Sequence, residues 1–514
     1  MKKSMPVLKS SAPSRHFSAA NVVLLLTAIS AAALVWCASQ GYTLYYGDAE
    51  AHLNIARRVL DSRTPGAEQL GTVWLPLPHI LMLPFVAREA WWRSGIAGAI
   101  PAAVGFVAAG AFLFAAARRL YASSAAALAA ALLFALNPNM LYLQATPMSE
   151  AVFAAALAAL LWTTLVFRDS PSGWAVLAVA AASNAASLTR YEGWFLIPFV
   201  ALYIFFTARC KWYVLMFAAL AALGPLAWLA HNQYYYSNAL EFYNGEFSAQ
   251  AIYARQVAVG VARYPGDHNW SQAIHYYFAA VRLTQGWILV VFSALGAVAA
   301  LAKKMWWPLL LLALPPAFYV WSIHSSGTPV YVPTLWPHSW YNTRYALAAL
   351  PLAALAAGGV VAMLPAKLQT LGAAALVLAV AASWALAGAP LCWTESAVNS
   401  QARLAWTGQA AAYLAENYQA GDGIIYSFGD LSGVLREAGI PLREGLHQGN
   451  RPSWDAAVLR PDLFFHEEWA LVAAGDQVDK AVIRLGPRYE LKKRILVPGA
   501  PAIEIYKRQW KYIP

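Results

Sequence analysis

The sequence predicts an α-helical polytopic membrane protein, with about eleven transmembrane helices and a C-terminal α/β domain, and three observations support this. Of the 514 residues, 60% are hydrophobic and only 12% are charged, whereas an average soluble domain has roughly 25% charged residues. The apolar residues fall in runs of about 18 to 22, long enough to cross ~30 Å of hydrocarbon. Residues 391–514 instead combine balanced charge with helix and strand patterns. We therefore expect a transmembrane domain over 1–390 and a soluble domain over 391–514.

The apolar runs define the predicted spans, which lie near 21–40, 95–117, 124–143, 148–167, 173–190, 194–208, 213–231, 286–302, 306–323, 345–363 and 369–389. One further apolar segment, 72–90, contains Pro76, Pro78 and Pro84. Because proline removes a backbone donor and breaks the helical ladder, this segment is a poor crossing helix. We predict that it lies outside the membrane, within a long first outer loop over 41–94.

The basic residues predict the orientation of the chain. With 72–90 outside, one side of the membrane collects most of the loop cations, as the positive-inside rule expects. These residues are Lys2, Lys3, Lys9, Arg15, Arg118, Arg119, Arg168, Arg209, Lys211, Lys303, Lys304 and Lys367. The N-terminus is then cytoplasmic and the C-terminal domain is extracytoplasmic. The first apolar run, near 21–40, is longer than the apolar region of a usual signal peptide and has no good cleavage site, so we expect this span to stay uncleaved.

The net charge of +11 arises entirely in residues 1–390, because residues 391–514 hold 14 basic and 14 acidic residues. A positive charge confined to the membrane half indicates contact with membrane lipids rather than with nucleic acid. The C-terminal domain is predicted to contain helices over 397–418 and 477–485 and strands near 424–428, 469–473, 491–497 and 502–507. It has no phosphate-binding glycine loop, so the sequence does not support a nucleotide site.

Asp48 follows the first span and precedes a stretch with helical periodicity. Glu50, Asn54, Arg57 and Asp61 would share one face of this helix, which we expect to lie on the membrane surface. Asp48 could cap the helix, because aspartate is a preferred N-cap residue. It could instead act as a general base that takes a proton from an acceptor hydroxyl.

Several short motifs resemble those of GT-C glycosyltransferases, in particular protein O-mannosyltransferases and lipid A aminoarabinose transferases. The motifs are Tyr46–Glu50, Ile55–Arg57, Trp74–Pro78, Thr146–Glu150, Leu188–Gly193 and Asn342–Tyr345. The resemblance implies a GT-C-like fold that transfers a sugar from a polyprenyl-phosphate donor to a protein, lipid or glycan acceptor. It also implies an outward-facing site in a plasma membrane, which would be the inner membrane of a bacterium.

The resemblance places the catalytic carboxylate at Asp48 and the contact to the lipid phosphate at Arg344. Glu50 is a less certain catalytic partner, because Ala49 separates it from Asp48 where members of the family often have adjacent acids. Further candidates for substrate binding are Arg190, Glu192, Arg57, Arg58 and His268.

Each candidate for substrate binding has a structural alternative. Arg344 could be an anchor at the end of a span, and Arg190 with Glu192 could form a local ion pair. Arg57 and Arg58 could occupy a solvated or headgroup-contacting face. His268 could belong to a turn formed by Pro265-Gly266.

No ligand spacing supports a metal site, and the need for a divalent cation stays open. A transporter or flippase of a lipid-linked substrate is the alternative function, although the predicted spans carry almost no charges and the chain shows no inverted repeat. A non-catalytic scaffold that presents the C-terminal domain is a third interpretation.

Overall fold

The structure, a computed structural model, describes residues 18–509, so the predicted inner residues Lys2, Lys3, Lys9 and Arg15 lie outside the described part. The chain forms two compact units. The helical unit comprises residues 18–36, 102–144 and 149–394. The α/β unit comprises residues 37–101, 145–148 and 395–509, and therefore contains the whole first outer loop together with the described part of the C-terminal domain from residue 395 onward.

The α-helices of the described chain are numbered in chain order. The first eight are α1 (Ala19–Ser39), α2 (Gly47–Leu60), α3 (Leu77–Val86), α4 (Glu89–Ser94), α5 (Ile96–Tyr121), α6 (Ser124–Ala135), α7 (Pro138–Leu143) and α8 (Glu150–Asp169). The next eight are α9 (Gly173–Ser187), α10 (Glu192–Thr207), α11 (Trp212–Ala221), α12 (Leu223–Tyr236), α13 (Glu241–Asn244), α14 (Ala249–Ala258), α15 (Trp270–Gln285) and α16 (Trp287–Ala302). The last eight are α17 (Trp306–Ser325), α18 (Leu350–Val361), α19 (Ala366–Ala387), α20 (Leu391–Asn417), α21 (Ser432–Ala438), α22 (Ser453–Leu459), α23 (Pro461–Phe464) and α24 (Gln477–Leu485).

The structure confirms a polytopic helical membrane protein with a C-terminal α/β domain. Within residues 18–509, seven helical segments are long and apolar enough to cross ~30 Å of hydrocarbon. They begin at Ala19, Ile96, Glu150, Trp212, Trp306, Thr343 and Ala366. The pair α15 and α16 adds an eighth if it is one span, although the two helices meet at an angle of 110°.

The predicted count of eleven spans is not confirmed, because several predicted spans are short or broken helices. The span predicted over 124–143 divides at Pro138, where the Asn137 side chain accepts hydrogen bonds from the Asn139 and Met140 amides and starts α7. Helices α9 and α10 contain 15 and 16 residues, which at 1.5 Å per residue is less than ~30 Å. Helix α3 has only 10 residues, in agreement with a non-crossing 72–90 segment.

Small residues allow close helix packing in the helical unit. A Cβ atom on Gly296 of α16 would lie 1.8 Å from the Ala356 carbonyl oxygen of α18, and one on Gly358 would lie 2.8 Å from the Ala126 carbonyl oxygen of α6. Helix α18 therefore packs with its backbone close to α16 and α6, as small residues permit in membrane proteins. Arg119 of α5 forms an ion pair with Asp169 of α8, so these two helix ends lie on the same side, as the charge pattern predicts.

The α/β unit is built on a five-stranded sheet with the order β2-β1-β3-β5-β4. The strands are β1 (Ile424–Tyr426), β2 (Gly445–Leu446), β3 (Trp469–Ala473), β4 (Tyr489–Ile495) and β5 (Ile503–Arg508). Strand β1 pairs in parallel with β2 and β3, and β5 pairs antiparallel with β3 and β4. The carboxyl ends of β1 and β3 therefore lie at the same edge of the sheet.

Alternate residues of the strands enter two hydrophobic cores, as the period of a β-strand requires. Ile424 and Leu471 join a core that also contains Leu53 of α2, Val86 of α3 and Trp406 of α20. On the other face, Ile425, Ala470 and Val472 pack with residues of α22 and α24. The first outer loop thus shares a core with the C-terminal domain.

Candidate functional sites

Asp48 is the second residue of α2, because the helix begins at Gly47 and Tyr46 is its N-cap. The structure therefore places Asp48 in the first helical turn rather than at the capping position. Its side chain is half-buried, whereas Ala49 and Glu50 are buried. A carboxylate in the first turn is also favoured by the helix dipole.

The polar face of α2 is buried, so the prediction of a helix lying on the membrane surface is wrong. Glu50 is 2% exposed, and Asn54 and Arg57 are buried as well. The sequence alone did not indicate which groups cover this face. Glu50 is covered by groups of the C-terminal domain, more than 300 residues further along the chain. Asn54 and Arg57 are instead covered from within the first outer loop, where Trp92 donates to Asn54 Oδ1 and Glu89 accepts from Arg57.

Glu50 is held by two arginines of the C-terminal domain. One carboxylate oxygen accepts a hydrogen bond from Arg403 Nη1, and the other accepts one from Arg436 Nε at 2.8 Å. Arg403 Nη2 also donates to the carbonyl oxygens of Leu44 and Tyr45, at 2.8 and 2.9 Å. Arg403 thus ties both Glu50 and the turn before α2 to α20.

The N-terminus of α2 lies against a second carboxylate, that of Asp430. A Cβ atom on Gly47 would lie 3.4 Å from Asp430 Oδ1 and 4.0 Å from Arg403 Nε. Burial raises the pKa of Asp430, Arg403 opposes the shift, and the negative charges of Glu50 and Asp48 reinforce it. The structure therefore brings Asp48 together with Asp430 and Arg403, two residues that the sequence analysis did not select.

Arg57 is buried in a network of its own, so the alternative of a solvated or headgroup-contacting face is wrong for it. Its Nε atom donates to Asp61 Oδ2 at 3.0 Å, Nη1 donates to the Val86 carbonyl at 2.6 Å, and Nη2 donates to Glu89 Oε2 at 3.0 Å. All three nitrogens of Arg57 are therefore engaged within the α/β unit.

Arg58 is also buried, and its predicted solvated or headgroup-contacting alternative is likewise wrong. Its guanidinium lies 4.1 Å from the ring centroid of Phe428, and its Nε donates to the Gln69 carbonyl. The cation–π contact connects α2 to the loop that follows β1.

The helical unit contains a second cluster, in which Arg344 and Arg190 meet at Glu150. Glu150 Oε1 lies 3.3 Å from Arg344 Nε and 3.2 Å from Arg190 Nη1. Arg190 Nη1 also donates to Ser149 Oγ at 2.8 Å, and Arg190 Nε donates to Glu192 Oε1 at 2.8 Å. Three of the predicted residues, Arg344, Arg190 and Glu192, are thus brought together.

Aromatic side chains complete this second cluster. Tyr319 donates to Glu192 Oε1 and accepts from Arg190 Nε at 3.1 Å. The Tyr345 ring centroid lies 5.1 Å from the Arg344 guanidinium and 5.4 Å from that of Arg190. All five side chains line one small cavity together with Glu150. Tyr319 could not be predicted as a site residue, because nothing near it in the chain marks a site.

His268 lies elsewhere, in the turn before α15. Its backbone has a φ of 51°, its amide donates to the His324 carbonyl at 3.0 Å, and its side chain is 70% exposed. These features match the predicted turn formed by Pro265-Gly266. Among residues 18–509, no group of three or more His, Cys, Asp or Glu side chains is arranged to hold a metal ion.

The fold, but not the sequence, matches known proteins. No protein-family model matches the chain, and no curated protein matches its sequence. Solved structures with a similar fold include ArnT from Cupriavidus metallidurans bound to undecaprenyl phosphate, which is 14% identical with a TM-score of 0.59. That match covers 97% of this chain and 100% of the ArnT chain. ArnT from the same organism in the apo state is 16% identical with a TM-score of 0.54, over 95% and 98% of the two chains. The predicted GT-C fold is therefore confirmed.

Proposed function

We propose that this protein is a membrane glycosyltransferase that moves a sugar from a polyprenyl-phosphate-linked donor to an acceptor hydroxyl on the outer face of a bacterial inner membrane. The observation that supports this most is the pair of arginines, Arg190 and Arg344, that line one cavity of the helical unit. They occur in a fold that, in ArnT, has been solved with undecaprenyl phosphate bound.

The two arginines suit a lipid phosphate. A guanidinium presents several donors in a fixed plane and can bind two phosphate oxygens at once. Both side chains are largely buried, with exposures of 8% for Arg344 and 15% for Arg190, so water screens their charge weakly. As the bond between the sugar and the phosphate breaks, the developing phosphate charge would be stabilised by these guanidinium groups.

In the proposed reaction, Asp48 is the general base. The acceptor oxygen forms a bond to the anomeric carbon of the sugar as the bond from that carbon to the phosphate oxygen breaks. The acceptor proton passes to the Asp48 carboxylate, and polyprenyl phosphate is released. The half-buried position of Asp48 in the first turn of α2 leaves it more accessible than Glu50, which is 2% exposed.

Glu50 and Arg57 then have positioning roles. Both carboxylate oxygens of Glu50 accept hydrogen bonds, one from Arg403 and one from Arg436. All three guanidinium nitrogens of Arg57 donate hydrogen bonds to groups of the same unit. Both residues fix α2, and with it Asp48, on the core of the α/β unit.

The donor part of the proposal can be tested by lipid binding. The purified full-length chain in detergent would be titrated with undecaprenyl phosphate, and the same titration would be made with Arg344→Ala and Arg190→Ala. Because hydrogen bonds to charged groups contribute about 1.5–3 kcal/mol, each change should weaken binding roughly 10- to 100-fold. Arg263→Ala is the matched control, since Arg263 belongs to the same unit but its side chain is 65% exposed.

Three outcomes would count against this function. Wild-type protein that does not bind undecaprenyl phosphate would exclude the donor class. Equal binding by wild type, Arg344→Ala and Arg190→Ala would exclude the proposed phosphate contacts. Transport of a lipid-linked sugar into vesicles that persists in Asp48→Asn would favour the transporter alternative.

A further inference from the structure

A cavity of about 370 Å³ lies in the α/β unit at the carboxyl ends of β1 and β3. Its volume falls in the range of roughly 300–1,000 Å³ that is usual for small-molecule sites. The position is also the one at which open α/β sheets bind ligands, because the loops after parallel strands diverge there. Asp430 and Ser427 come from the loop after β1, and Asp476 from the loop after β3.

Helix α20 supplies one wall of the cavity. Asn399, Ala402, Arg403 and Trp406 all line it, and their spacing of three or four residues places them on one helical face. Phe428 also lines the cavity. The cavity thus combines a guanidinium, two carboxylates and two aromatic rings.

Asp476 has a mainly structural role in this cavity. Its carboxylate accepts hydrogen bonds from the Asp479 amide at 2.7 Å, the Ala473 amide at 3.2 Å and Ser427 Oγ at 3.0 Å. These bonds cap α24 and fix the loop after β3. Asp430 and Arg403 are the charged groups of the cavity that lie near Gly47, the residue before the proposed base.

The chemistry of Asp430 and Arg403 fits a ring that carries several hydroxyl groups. A carboxylate only accepts hydrogen bonds and a guanidinium only donates them, whereas each hydroxyl can do both. Neighbouring hydroxyls of a sugar can therefore satisfy the two side chains together. Aromatic walls provide apolar contact for the faces of such a ring.

The same edge of the cavity adjoins the proposed base. Asp430 Oδ1 would be 3.4 Å from a Cβ atom on Gly47, the residue before Asp48. A ligand in the cavity could thus present a hydroxyl toward the start of α2. This neighbourhood distinguishes the cavity from an incidental cleft on the surface.

We propose that this cavity is the acceptor site, and that it binds a sugar ring of a glycan acceptor through Asp430 and Arg403. The inference rests on the proposed function, since it assumes that Asp48 takes the proton from the acceptor. It goes further by naming a glycan as the acceptor and by placing its binding site in the C-terminal domain.

The test is binding of the purified full-length chain to an array of bacterial cell-surface glycans. Asp430→Ala removes the carboxylate, and Ala402→Leu reduces the volume of the cavity. Asp462→Ala and Ala405→Leu are matched controls, because Asp462 and Ala405 are exposed and do not line the cavity. Undecaprenyl phosphate binding is measured on every variant to report on the donor site and on folding.

Wild-type protein and both controls should bind the same glycans, and each cavity variant should reduce that binding at least 10-fold while undecaprenyl phosphate binding is kept. The acceptor site would be overturned if the wild type bound no glycan. It would also be overturned if Asp430→Ala and Ala402→Leu bound the glycans as tightly as the wild type does. Loss of lipid binding by the wild type would instead contradict the proposed function, so the two failures are distinguishable.

Discussion

Glu50 and Arg403 form a buried ion pair across 353 residues of sequence. Their side chains are 2% and 7% exposed. Arg403 also holds the backbone of the turn that leads into α2, and Arg436 binds the second oxygen of Glu50. The C-terminal domain therefore fixes the helix that carries Asp48.

Removing one partner of this ion pair should destabilise the α/β unit. Glu50→Gln leaves the buried guanidinium groups of Arg403 and Arg436 without their shared carboxylate, and Arg403→Met leaves Glu50 with Arg436 alone. Removing one member of a buried ion pair typically costs about 3–5 kcal/mol. Hydrogen exchange of β1 and β3, measured by mass spectrometry on the full-length chain, should therefore accelerate.

The control for this prediction is Asp462→Asn, which breaks the exposed pair of Arg460 and Asp462. Exposed pairs are screened by water, so exchange in β1 and β3 should be unchanged. If β1 and β3 of Arg403→Met exchanged at the wild-type rate, the ion pair would not stabilise the unit.

Asp48→Asn should reduce sugar transfer by a factor of about 10² to 10⁴, the usual contribution of general base catalysis. The amide has nearly the same shape but cannot take the acceptor proton. Undecaprenyl phosphate affinity should stay at the wild-type value, because the proposed phosphate contacts belong to Arg190 and Arg344. Transfer at more than a tenth of the wild-type rate would remove Asp48 from the role of base.

Part of this organisation could be predicted from the sequence. The strands near 424–428 and 469–473 and the helix over 477–485 were predicted from apolar periodicity and agree with β1, β3 and α24. Strand β2 was missed, because it has only two residues and forms by pairing with β1. Local patterns carry no signal for so short a strand.

The two clusters differ in how much the sequence revealed. The short motifs pointed to Arg190, Glu192 and Arg344, and the structure brings these residues together at Glu150, the last residue of another of the motifs. Arg403 and Arg436 were not selected, because nothing in their local sequence shows that they bind Glu50. Without these partners, the polar face of α2 resembles an exposed surface.

Glu150→Gln should make the thermal stability of the protein depend more strongly on a bound phosphate. Glu150 Oε1 lies within 3.3 Å of both Arg190 and Arg344, so the change removes the negative charge that these two buried cations share. A lipid phosphate would replace this charge. Undecaprenyl phosphate should therefore raise the thermal midpoint of Glu150→Gln by more than it raises that of the wild type, since ligand stabilisation grows with affinity. A smaller increase in the variant would contradict this account of the cluster.

Acid should destabilise the α/β unit through two buried histidines. Burial and the nearby positive charge of Arg58 lower the pKa of both His79 and His447, with His52 contributing to the shift at His79. The unfolded chain takes up protons on these groups below about pH 6.5, whereas the folded unit does not. The free energy of unfolding of the unit is therefore unaffected by these groups above pH 6.5 and falls as the pH decreases below that value. The decrease is about 2 kcal/mol per histidine at pH 5 if the folded form stays neutral.

The matched variant is His447→Gln, which cannot gain a proton in the unfolded state. Its loss of stability between pH 7 and pH 5, followed by hydrogen exchange of β1, should be smaller than that of the wild type by about 2 kcal/mol. His466→Gln is the control, because His466 is exposed, and its pH dependence should match the wild type. Parallel pH profiles for wild type and His447→Gln would show that the buried imidazole of His447 does not set the acid sensitivity of the unit.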